Sequence, residues 1–312
     1  TQTEKDKQAR LKLIARKKAK NASAYETAIK YIEIGLELLS LQSWDTQYEL
    51  ILTLHVEAVE LQYLNTQFEE AQNLSNIVLK KAKSLLDKLR VYELKIQSYI
   101  AKIQMQLAID TAQEVLAQLG IYLPQIPDTN HINKKQVAIK FLLQDRQIED
   151  LSNLPTMTDP YKLASVRILM IVTTATIISN PLLFSLVTLT AVNLCIKYGN
   201  PPQASSVYTF YGKLLCGMMQ DIDIGYRFGQ LALNLLEKSN IKEAKPLVLH
   251  YTAGFIRHWK EPINNGNIIE TLQEAINIGL DTGHIEYTSY AASAYCLFLI
   301  FSGYNLEELS HK

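Results

Sequence analysis

The segment from Phe255 to Pro262 carries the densest set of side chains that could bind a charged ligand. Arg257, His258 and Lys260 place two cations and a hydrogen-bonding ring around Trp259. A guanidinium group can hold a carboxylate or a phosphate through two parallel hydrogen bonds, which makes arginine the usual residue for such contacts. These four residues are therefore candidates for binding an anionic ligand or a peptide.

The same segment has a structural alternative. An ion pair between Arg257 and Glu261, together with a half-buried Trp259, would simply close the end of a helix. If the segment is instead a site, residues of neighbouring helices are expected to face the same groove. These are Tyr208, Tyr211, Tyr226 and Arg227.

Signatures of catalysis are missing from the sequence. It contains no glycine-rich phosphate loop ending in Gly-Lys-Ser/Thr, no His-Glu-x-x-His and no cysteine or histidine cluster with zinc spacing. His250 and His258 are eight residues apart and would lie near one face of a helix, but this pair alone does not define a metal site. The sequence predicts a non-enzymatic segment with no catalytic residue, no cofactor and no metal ion.

The composition is that of a globular protein. The chain has 312 residues, of which 48% are hydrophobic and 20% charged, and its formal net charge is zero. Balanced charge gives no general attraction to nucleic acid or to an anionic membrane. The basic stretch 1–20 is the exception, and we interpret it as the solvated face of a first helix, with an acidic partner or a phosphate backbone as the alternative.

The cysteines and the two ends of the sequence bear on its location. Cys195, Cys216 and Cys296 are far apart in apolar surroundings, so we expect free core thiols in a reducing compartment, which indicates the cytoplasm. No secretory signal is present. The first residue is Thr and both ends look cut in mid-pattern, so we expect a piece of a larger protein.

A long uncharged stretch dominates the middle of the chain. No Asp, Glu, Lys or Arg occurs between Arg167 and Lys197. A membrane-spanning helix needs about 20 uninterrupted apolar residues, but Ser179, Asn180 and Pro181 divide this stretch, because proline removes a backbone donor and disfavours helix in the residue before it. We predict two consecutive helices buried in a soluble protein, without membrane insertion.

Internal repetition is the main indication of the fold. Ala191, Ala232 and Ala275 begin three segments that align with one another, 41 and 43 residues apart, and Ala71 and Ala108 occupy similar places 37 residues apart. A pair of helices repeated at about this interval is typical of α-solenoids. The junction from Tyr63 to Ala71 resembles a tetratricopeptide turn. The predicted fold class is all-α, a right-handed α-solenoid of degenerate tetratricopeptide-like helix pairs.

An asparagine follows each alanine of the three aligned segments by two residues, at positions 193, 234 and 277. Two residues correspond to about 200° around a helix. We therefore predict that the alanines pack between helices and that the asparagines lie on the exposed rim.

Turn-forming residues divide the chain into three parts. We predict N-terminal helical repeats over 1–120, a linker with a short helix over 121–160, and C-terminal repeats over 161–312 that continue the same superhelix. Asp159 is expected to cap a helix that begins at Pro160. Near the N-terminus, Ser23 or Asn21 is expected to cap the second helix.

Blocks of sequence spread over nearly the whole chain carry a family resemblance. They are Ser43-Trp44-Asp45-Thr46-Gln47-Tyr48-Glu49-Leu50, Leu86-Asp87-Lys88, Val91-Tyr92-Glu93, Ile148-Glu149-Asp150-Leu151, Met157-Thr158-Asp159-Pro160, Val192-Asn193-Leu194, Lys197-Tyr198-Gly199-Asn200 and Phe255-Ile256-Arg257-His258-Trp259-Lys260-Glu261. Together they resemble the helical region that follows the ATPase module in very large cyanobacterial signalling proteins. One departure is Thr156, where that family usually has Glu.

Proteins of that family begin with a serine/threonine kinase domain and a STAND-type, AAA-like ATPase. The helical region follows, often with a GAF domain and a two-component histidine kinase after it. The resemblance implies a tetratricopeptide-like superhelix between an ATP-driven switch and an output kinase. It brings no catalytic residues to this segment.

Two functions follow from these observations. The first is a sensor or protein-interaction module, whose concave face binds a partner, a peptide or a small-molecule inducer and which contacts the adjacent ATPase and kinase domains of the same polypeptide. The alternative is a structural spacer that forms a homodimer and holds kinase domains apart. A large apolar patch on an outer face would favour the spacer, and an aromatic and basic groove would favour the sensor.

Overall fold

A computed structural model describes residues 1–239, 241–263 and 267–305. About 80% of the chain is helical and no strand occurs among the described residues, which confirms the all-α class. Thr156 and Asn200 form one isolated β-bridge. The α-helices are α1 (Gln2–Asn21), α2 (Tyr25–Glu37), α3 (Ser43–Thr46), α4 (Tyr48–Leu64), α5 (Phe68–Lys81), α6 (Leu85–Ala101), α7 (Met105–Gln118), α8 (Thr129–Leu143), α9 (Pro160–Ser179), α10 (Pro181–Tyr198), α11 (Ala204–Gly217), α12 (Ile222–Ser239), α13 (Lys245–Phe255), α14 (Asn267–Thr282) and α15 (Ile285–Phe301).

The chain divides into two compact units. The first comprises Thr1–Tyr122 together with Thr174–Ser179, and the second comprises Leu123–Thr173 and the residues from Asn180 onward. The segment 121–160, predicted to be a linker with a short helix, contains α8 and a 3-10 turn at Ile148–Asn153.

Helical hairpins build the first unit. Consecutive helices pack as α1 with α2, α4 with α5, and α6 with α7, while α4 also packs on α2 and α6. Its interior is aliphatic, with Ile32, Leu54 and Leu61 almost completely buried. The apolar stripe of each helix therefore meets that of its neighbours, as the sequence periodicity predicts.

Four hairpins of the chain share one turn geometry. A residue in the left-handed region ends the first helix, and the next residue then precedes the second helix with φ from −95° to −85° and ψ from 62° to 66°. The N–H of that next residue donates to the carbonyl five positions earlier over 2.8–2.9 Å, which is the Schellman pattern. The left-handed residues are Ser23, Thr66, Ile103 and Gly283.

This turn geometry corrects one capping prediction and supports a test. Ser23 supplies the left-handed bend, and α2 follows Ala24 without a side-chain cap, so Ser23 does not cap that helix. The side chain of Asn21, the other predicted cap, lies outside the described part of the chain. The repeated bend also places a β-branched residue, Ile103, at φ 58°. Side chains of this kind rarely adopt that conformation because the Cβ approaches the backbone.

Replacing Ile103 by glycine is expected to stabilise the protein. The side chain is 80% exposed, so little burial is lost, and relief of the left-handed strain should exceed the entropic cost of glycine in the unfolded chain. We expect Ile103→Gly to raise the free energy of unfolding by about 1 kcal/mol in urea denaturation followed by circular dichroism. Ile103→Ala keeps the Cβ and should gain less than half as much. A lower midpoint for the glycine variant would contradict this account.

The repeated alanines pack as predicted. Ala108, Ala191, Ala232 and Ala275 are fully buried and Ala71 is 3% exposed. Each of the three asparagines is more accessible than its alanine, although the one at position 193 is only partly exposed. The positions that align in the sequence are therefore positions of close helix packing.

Two of the cations in α1 are not simply solvated. Arg16 pairs with Glu57 of α4 at 2.6 Å, and Lys20 pairs with Glu60 of the same helix at 2.7 Å. Arg16 is only 7% exposed. The basic stretch therefore contributes in part to packing within the first unit. Its exposed cations, as predicted, are Lys5, Lys7, Arg10, Lys17 and Lys18.

The uncharged central stretch forms two helices that break where predicted. α9 ends at Ser179 and α10 begins at Pro181, with the Asn180 side chain accepting the N–H of Leu183 at 3.0 Å. Both helices are long and apolar enough to cross a membrane by length and composition, but 50% of the apolar window of α9 and 72% of that of α10 are buried inside the protein. Burial of this extent is typical of core helices.

The loop before α9 is fixed to the end of α10. The backbone of Asn200 donates to Pro155 at 2.8 Å and accepts from Met157 at 3.0 Å, while its side chain donates to the Leu151 carbonyl at 2.7 Å. Further along the loop, Asp159 accepts the N–H groups of the first helical turn, at Tyr161 and Lys162, which confirms the predicted cap.

Close packing of α11 against α12 depends on glycine. A Cβ on Gly212 would lie 2.9 Å from the Gly225 carbonyl, and a Cβ on Gly225 would lie 2.5 Å from the Cys216 sulfur. Ile256 covers Gly229 from the other side. The two helices can approach this closely because neither has a side chain at the crossing, and this places the residues of α12 against α11.

The three cysteines are free, as expected, but only two are in the core. Cys195 and Cys216 are buried, whereas Cys296 is exposed on α15. The prediction of a core position for Cys296 was wrong. α15 is apolar around most of its circumference, so apolar neighbours in sequence did not indicate which side faces inward.

Candidate functional site

The predicted binding segment lies at the end of a helix. α13 ends at Phe255, and Arg257–Trp259 forms a 3-10 turn. His250 is therefore in α13 while His258 is in the turn. Among the described residues, no group of three or more His, Cys, Asp or Glu side chains is placed to hold a metal ion.

The guanidinium of Arg257 is occupied by groups of the protein itself. Its Nε and Nη2 donate to the carboxylate of Glu261 over 2.5–3.0 Å, and its Nη1 donates to the Thr271 hydroxyl at 2.9 Å. The Tyr226 hydroxyl donates to the same carboxylate at 2.8 Å. These hydrogen bonds, with that from Arg257 foremost, lower the pKa of Glu261. This is the Arg–Glu pair of the structural alternative, which leaves little of Arg257 for a ligand.

The remaining candidates of the segment also have neighbours within the protein. Lys260 pairs with Asp223 and lies over the Tyr226 ring, 5.5 Å from its centroid. The rings of His258 and Trp259 are 5.1 Å apart, and 49% of the tryptophan is exposed. Burial lowers the pKa of His258. The segment thus closes a helix end and presents one half-exposed indole.

Removing the Arg257 side chain is expected to destabilise the protein. Arg257→Ala would leave the Glu261 carboxylate, whose side chain is 23% exposed, with only the Tyr226 hydroxyl. Hydrogen bonds to charged groups contribute about 1.5–3 kcal/mol each. We expect the free energy of unfolding to fall by about 2 kcal/mol in chemical denaturation, and Trp259→Ala to cost clearly less. A fully stable Arg257→Ala protein would mean that the ion pair is dispensable and would reopen a ligand-binding role.

Tyr208 does not face a groove. It is fully buried, and its hydroxyl donates to the Asn200 side chain at 3.2 Å. Its ring lies 5.8 Å from that of Phe228, between α11 and α12. Tyr208 therefore belongs to the core, and the expectation that all four residues on neighbouring helices share a groove was wrong.

Tyr211 and Arg227, in contrast, line the same cleft of the second unit. This cleft has a volume of about 390 Å³ and lies among α8, the 3-10 turn at Ile148–Asn153, α11 and α12. Its apolar walls come from Ile139, Leu143, Leu215 and Phe228. A pocket of this size, with both apolar walls and polar groups, is within the range of small-molecule sites.

Cations surround the apolar walls of this cleft. Arg227 donates to both carboxylate oxygens of Glu149 at 2.7 and 2.9 Å. Lys140 and Arg146 also line the cleft, and neither forms an ion pair with any described residue. These two residues were not among the predicted site residues, because they lie in the segment that was predicted to be a linker. The concentration of lysine and arginine between 134 and 146 was the signal that could have indicated them.

Two polar groups of the cleft lack strong partners. Tyr211 is 5% exposed, and its hydroxyl has no hydrogen bond to any described residue. Burial raises its pKa to about 12, so the phenol is a neutral donor. The Gln136 amide donates to the sulfur of Met219, which is a weak acceptor. Both donors are available to an oxygen atom placed in the cleft.

The Glu149–Arg227 ion pair contributes to the free energy of unfolding in a pH-dependent way. Hydrogen bonds from Arg227 lower the pKa of Glu149 from 4.5 to about 2. Because the folded pKa is depressed, this stabilisation is present above about pH 4.5 and is lost as pH falls toward 2. Arg227→Gln should move the carboxyl titration, followed by NMR, back toward 4.5. Arg146→Gln is the matched control and should leave it unchanged. A wild-type midpoint above pH 4 would contradict the pairing.

Comparison with known proteins gives one distant relative. Over 319 aligned residues the chain is 21% identical to "Hybrid signal transduction histidine kinase G" of Dictyostelium discoideum. The alignment covers 93% of this chain but only 9% of that relative, so the chain spans a small part of its length. No protein-family profile matches the chain, and no solved structure matches it.

Proposed function

We propose that this chain is a non-catalytic sensor and protein-interaction module of a larger cytoplasmic signal-transduction protein. The observation that carries the proposal is the similarity of 93% of the chain to a short segment of a hybrid signal transduction histidine kinase. A segment that occupies 9% of a kinase and contains no kinase or ATPase motif is suited to regulate the catalytic domains beside it. The partners in this proposal are the adjacent ATPase and kinase domains of the same polypeptide.

The proposed architecture is a right-handed α-solenoid of degenerate tetratricopeptide-like hairpins. It is supported by the Schellman turn that recurs at Ser23, Thr66 and Ile103, 43 and 37 residues apart, and by the burial of the five aligned alanines. Units of this type bury their apolar faces mainly against their neighbours. The proposal includes the division of the chain into N-terminal repeats over 1–120, a linker over 121–160 and C-terminal repeats over 161–312.

The cleft beside Tyr211 and Arg227 is the site at which such a module would receive its signal. A ligand can change the output of the attached domains only if it binds one conformational state more tightly than another. The cleft joins α8 and the 3-10 turn at Ile148–Asn153 to α11 and α12. A bound molecule would therefore contact four elements of the second unit at once and favour the state in which they are close together.

A second function is favoured by a different observation. α15 exposes apolar side chains on its outer face, with Leu297 at 47%, Ile300 at 50% and Phe301 at 67%. Contiguous exposed apolar surface is typical of protein interfaces. The alternative proposal is therefore a spacer that dimerises and holds kinase domains at a fixed separation.

Light scattering after gel filtration distinguishes the two functions. The chain is measured alone and then mixed with the adjacent ATPase domain in the presence of ATP or of ADP. A monomer that co-elutes with the ATPase in one nucleotide state supports the sensor module. A stable dimer that ignores the ATPase supports the spacer, and Phe301→Glu should then dissociate it while Tyr211→Phe should not. A monomer that ignores the ATPase in both nucleotide states would overturn both functions.

A further inference from the structure

We infer that the cleft beside Tyr211 and Arg227 binds a small organic molecule with one anionic group and an apolar body. The inference rests on the proposed function, since it names the ligand class of the same site. A neutral lipid would leave the cations of the cleft without a partner, and a simple inorganic anion would leave its apolar walls uncovered. We therefore expect neither class to be the ligand.

The charges of the cleft favour an anion. Arg227 already holds Glu149. Asp221, the one carboxylate among the described residues that line the cleft, accepts the N–H of Ile224 at the start of α12. Lys140 and Arg146 are left without an ion pair among the described residues. An anionic group held by these two side chains would form charge-assisted hydrogen bonds, which are about twice as strong as neutral ones.

The hydrogen-bond donors favour an oxygen atom at the inner end of the ligand. The Tyr211 phenol lines the cleft, and its hydroxyl has no hydrogen bond to a described residue. The Gln136 amide is held only by the Met219 sulfur. An oxygen of the ligand that accepts from Tyr211, with or without Gln136, would give these donors a stronger acceptor inside the cleft.

The walls favour an apolar body between these polar ends. Ile139, Leu143 and Phe228 provide aliphatic and aromatic surface in the cleft. Its volume of about 390 Å³ is within the range of small-molecule sites, which is roughly 300–1,000 Å³. A compact aromatic or branched aliphatic acid satisfies the size, the apolar walls and the cations together.

A pair of fluorescent probes tests this inference directly. 8-Anilinonaphthalene-1-sulfonate has an anionic group on an aromatic body, and N-phenyl-1-naphthylamine has nearly the same body without the charge. We expect the sulfonate to bind the 312-residue chain at one site and the neutral probe to bind much more weakly. The double variant Lys140→Gln, Arg146→Gln should weaken binding of the sulfonate by about tenfold or more. Binding of the neutral probe should be unchanged.

Two further variants make the result specific. Lys134→Gln removes an exposed cation of α8 that does not line the cleft, so it should leave both probes unchanged. Tyr211→Phe should weaken binding of the sulfonate by a few fold, because the phenol is expected to donate a hydrogen bond to it. Circular dichroism of each variant checks that the fold is retained, and the single variants Lys140→Gln and Arg146→Gln replace the double variant if it is not.

The inference is overturned if the sulfonate fails to bind, binds at many equivalent sites, or binds the cation variants as tightly as the wild type. This outcome is distinct from failure of the proposed function. If the sulfonate binds as expected but the chain ignores the ATPase in the gel-filtration experiment, the ligand class stands and the sensor function fails. If the chain co-elutes with the ATPase in one nucleotide state but the cation variants bind the sulfonate normally, only the inferred ligand class is rejected.

Discussion

Gly199→Ala is expected to lower the free energy of unfolding by about 4 kcal/mol, the largest effect of any change considered for this chain. Gly199 has φ 100° and ψ 173°, a conformation that is essentially restricted to glycine. A Cβ at this position would lie 2.2 Å from the Pro155 carbonyl oxygen. Both the backbone strain and the clash would disrupt the bridge that fixes the loop before α9, and chemical denaturation should show a large loss of stability.

Gly120→Ala is the matched control for this prediction. Gly120 also has a positive φ, 79°, but an added Cβ would meet nothing within 4 Å. Gly120→Ala should lower the free energy of unfolding by about 1 kcal/mol, through backbone strain alone. Equal losses for the two variants would mean that the contact with Pro155 is unimportant, and that the loop is held in some other way.

Gly225→Ala is expected to cost about 3 kcal/mol because it separates α11 from α12. The added Cβ would lie 2.5 Å from the Cys216 sulfur and 2.9 Å from the Gly212 carbonyl oxygen. The sulfur can move, but the carbonyl belongs to the backbone of α11 and cannot move without shifting the helix. The gain in helix propensity, about 1 kcal/mol, offsets only part of this cost.

Gly217→Ala places the same substitution in α11, the other helix of the pair, without the clash. Gly217 ends α11, and an added Cβ would have no neighbour within 4 Å. We therefore expect a neutral or slightly stabilising change in urea denaturation.

Because Tyr211 and Arg227 lie on the two helices that Gly225→Ala separates, that variant should also weaken binding of the anionic naphthalene probe. A stable Gly225→Ala protein would show that the helices tolerate a wider separation.

Much of the local structure was predictable because short-range rules determine it. Proline at position 181 and an asparagine before it can only interrupt a helix and start another, and Asp159 before Pro160 forms the expected cap. The repeated alanines were recognisable because a small residue at a fixed interval marks a place where two helices come close. For the helix break and the cap, neighbours within a few positions of the chain determine the outcome.

The candidate site was predicted less well because long-range partners decide which side chains remain available. Arg257 and Lys260 looked like ligand-binding cations, but Glu261, Thr271 and Asp223 occupy them. Their partners lie up to 37 positions away, and no local pattern shows which charges will pair. Lys140 and Arg146, in a segment of weak periodicity, remain unpaired for the same reason: no carboxylate among the described residues is brought close enough to form an ion pair.

The helical class, the break between the central helices and the packing of the small residues could be predicted, because these follow from backbone geometry and apolar periodicity. Which polar groups remain without a partner depends instead on how the helices pack together. The blocks of the family resemblance illustrate this. Tyr48 donates to Asp87 at 2.6 Å and connects α4 to α6, and the Asn200 side chain donates to the Leu151 carbonyl and connects the end of α10 to the 3-10 turn. A charge or a hydroxyl becomes available to a ligand only when folding brings it no partner, and that depends on contacts between residues far apart in the chain.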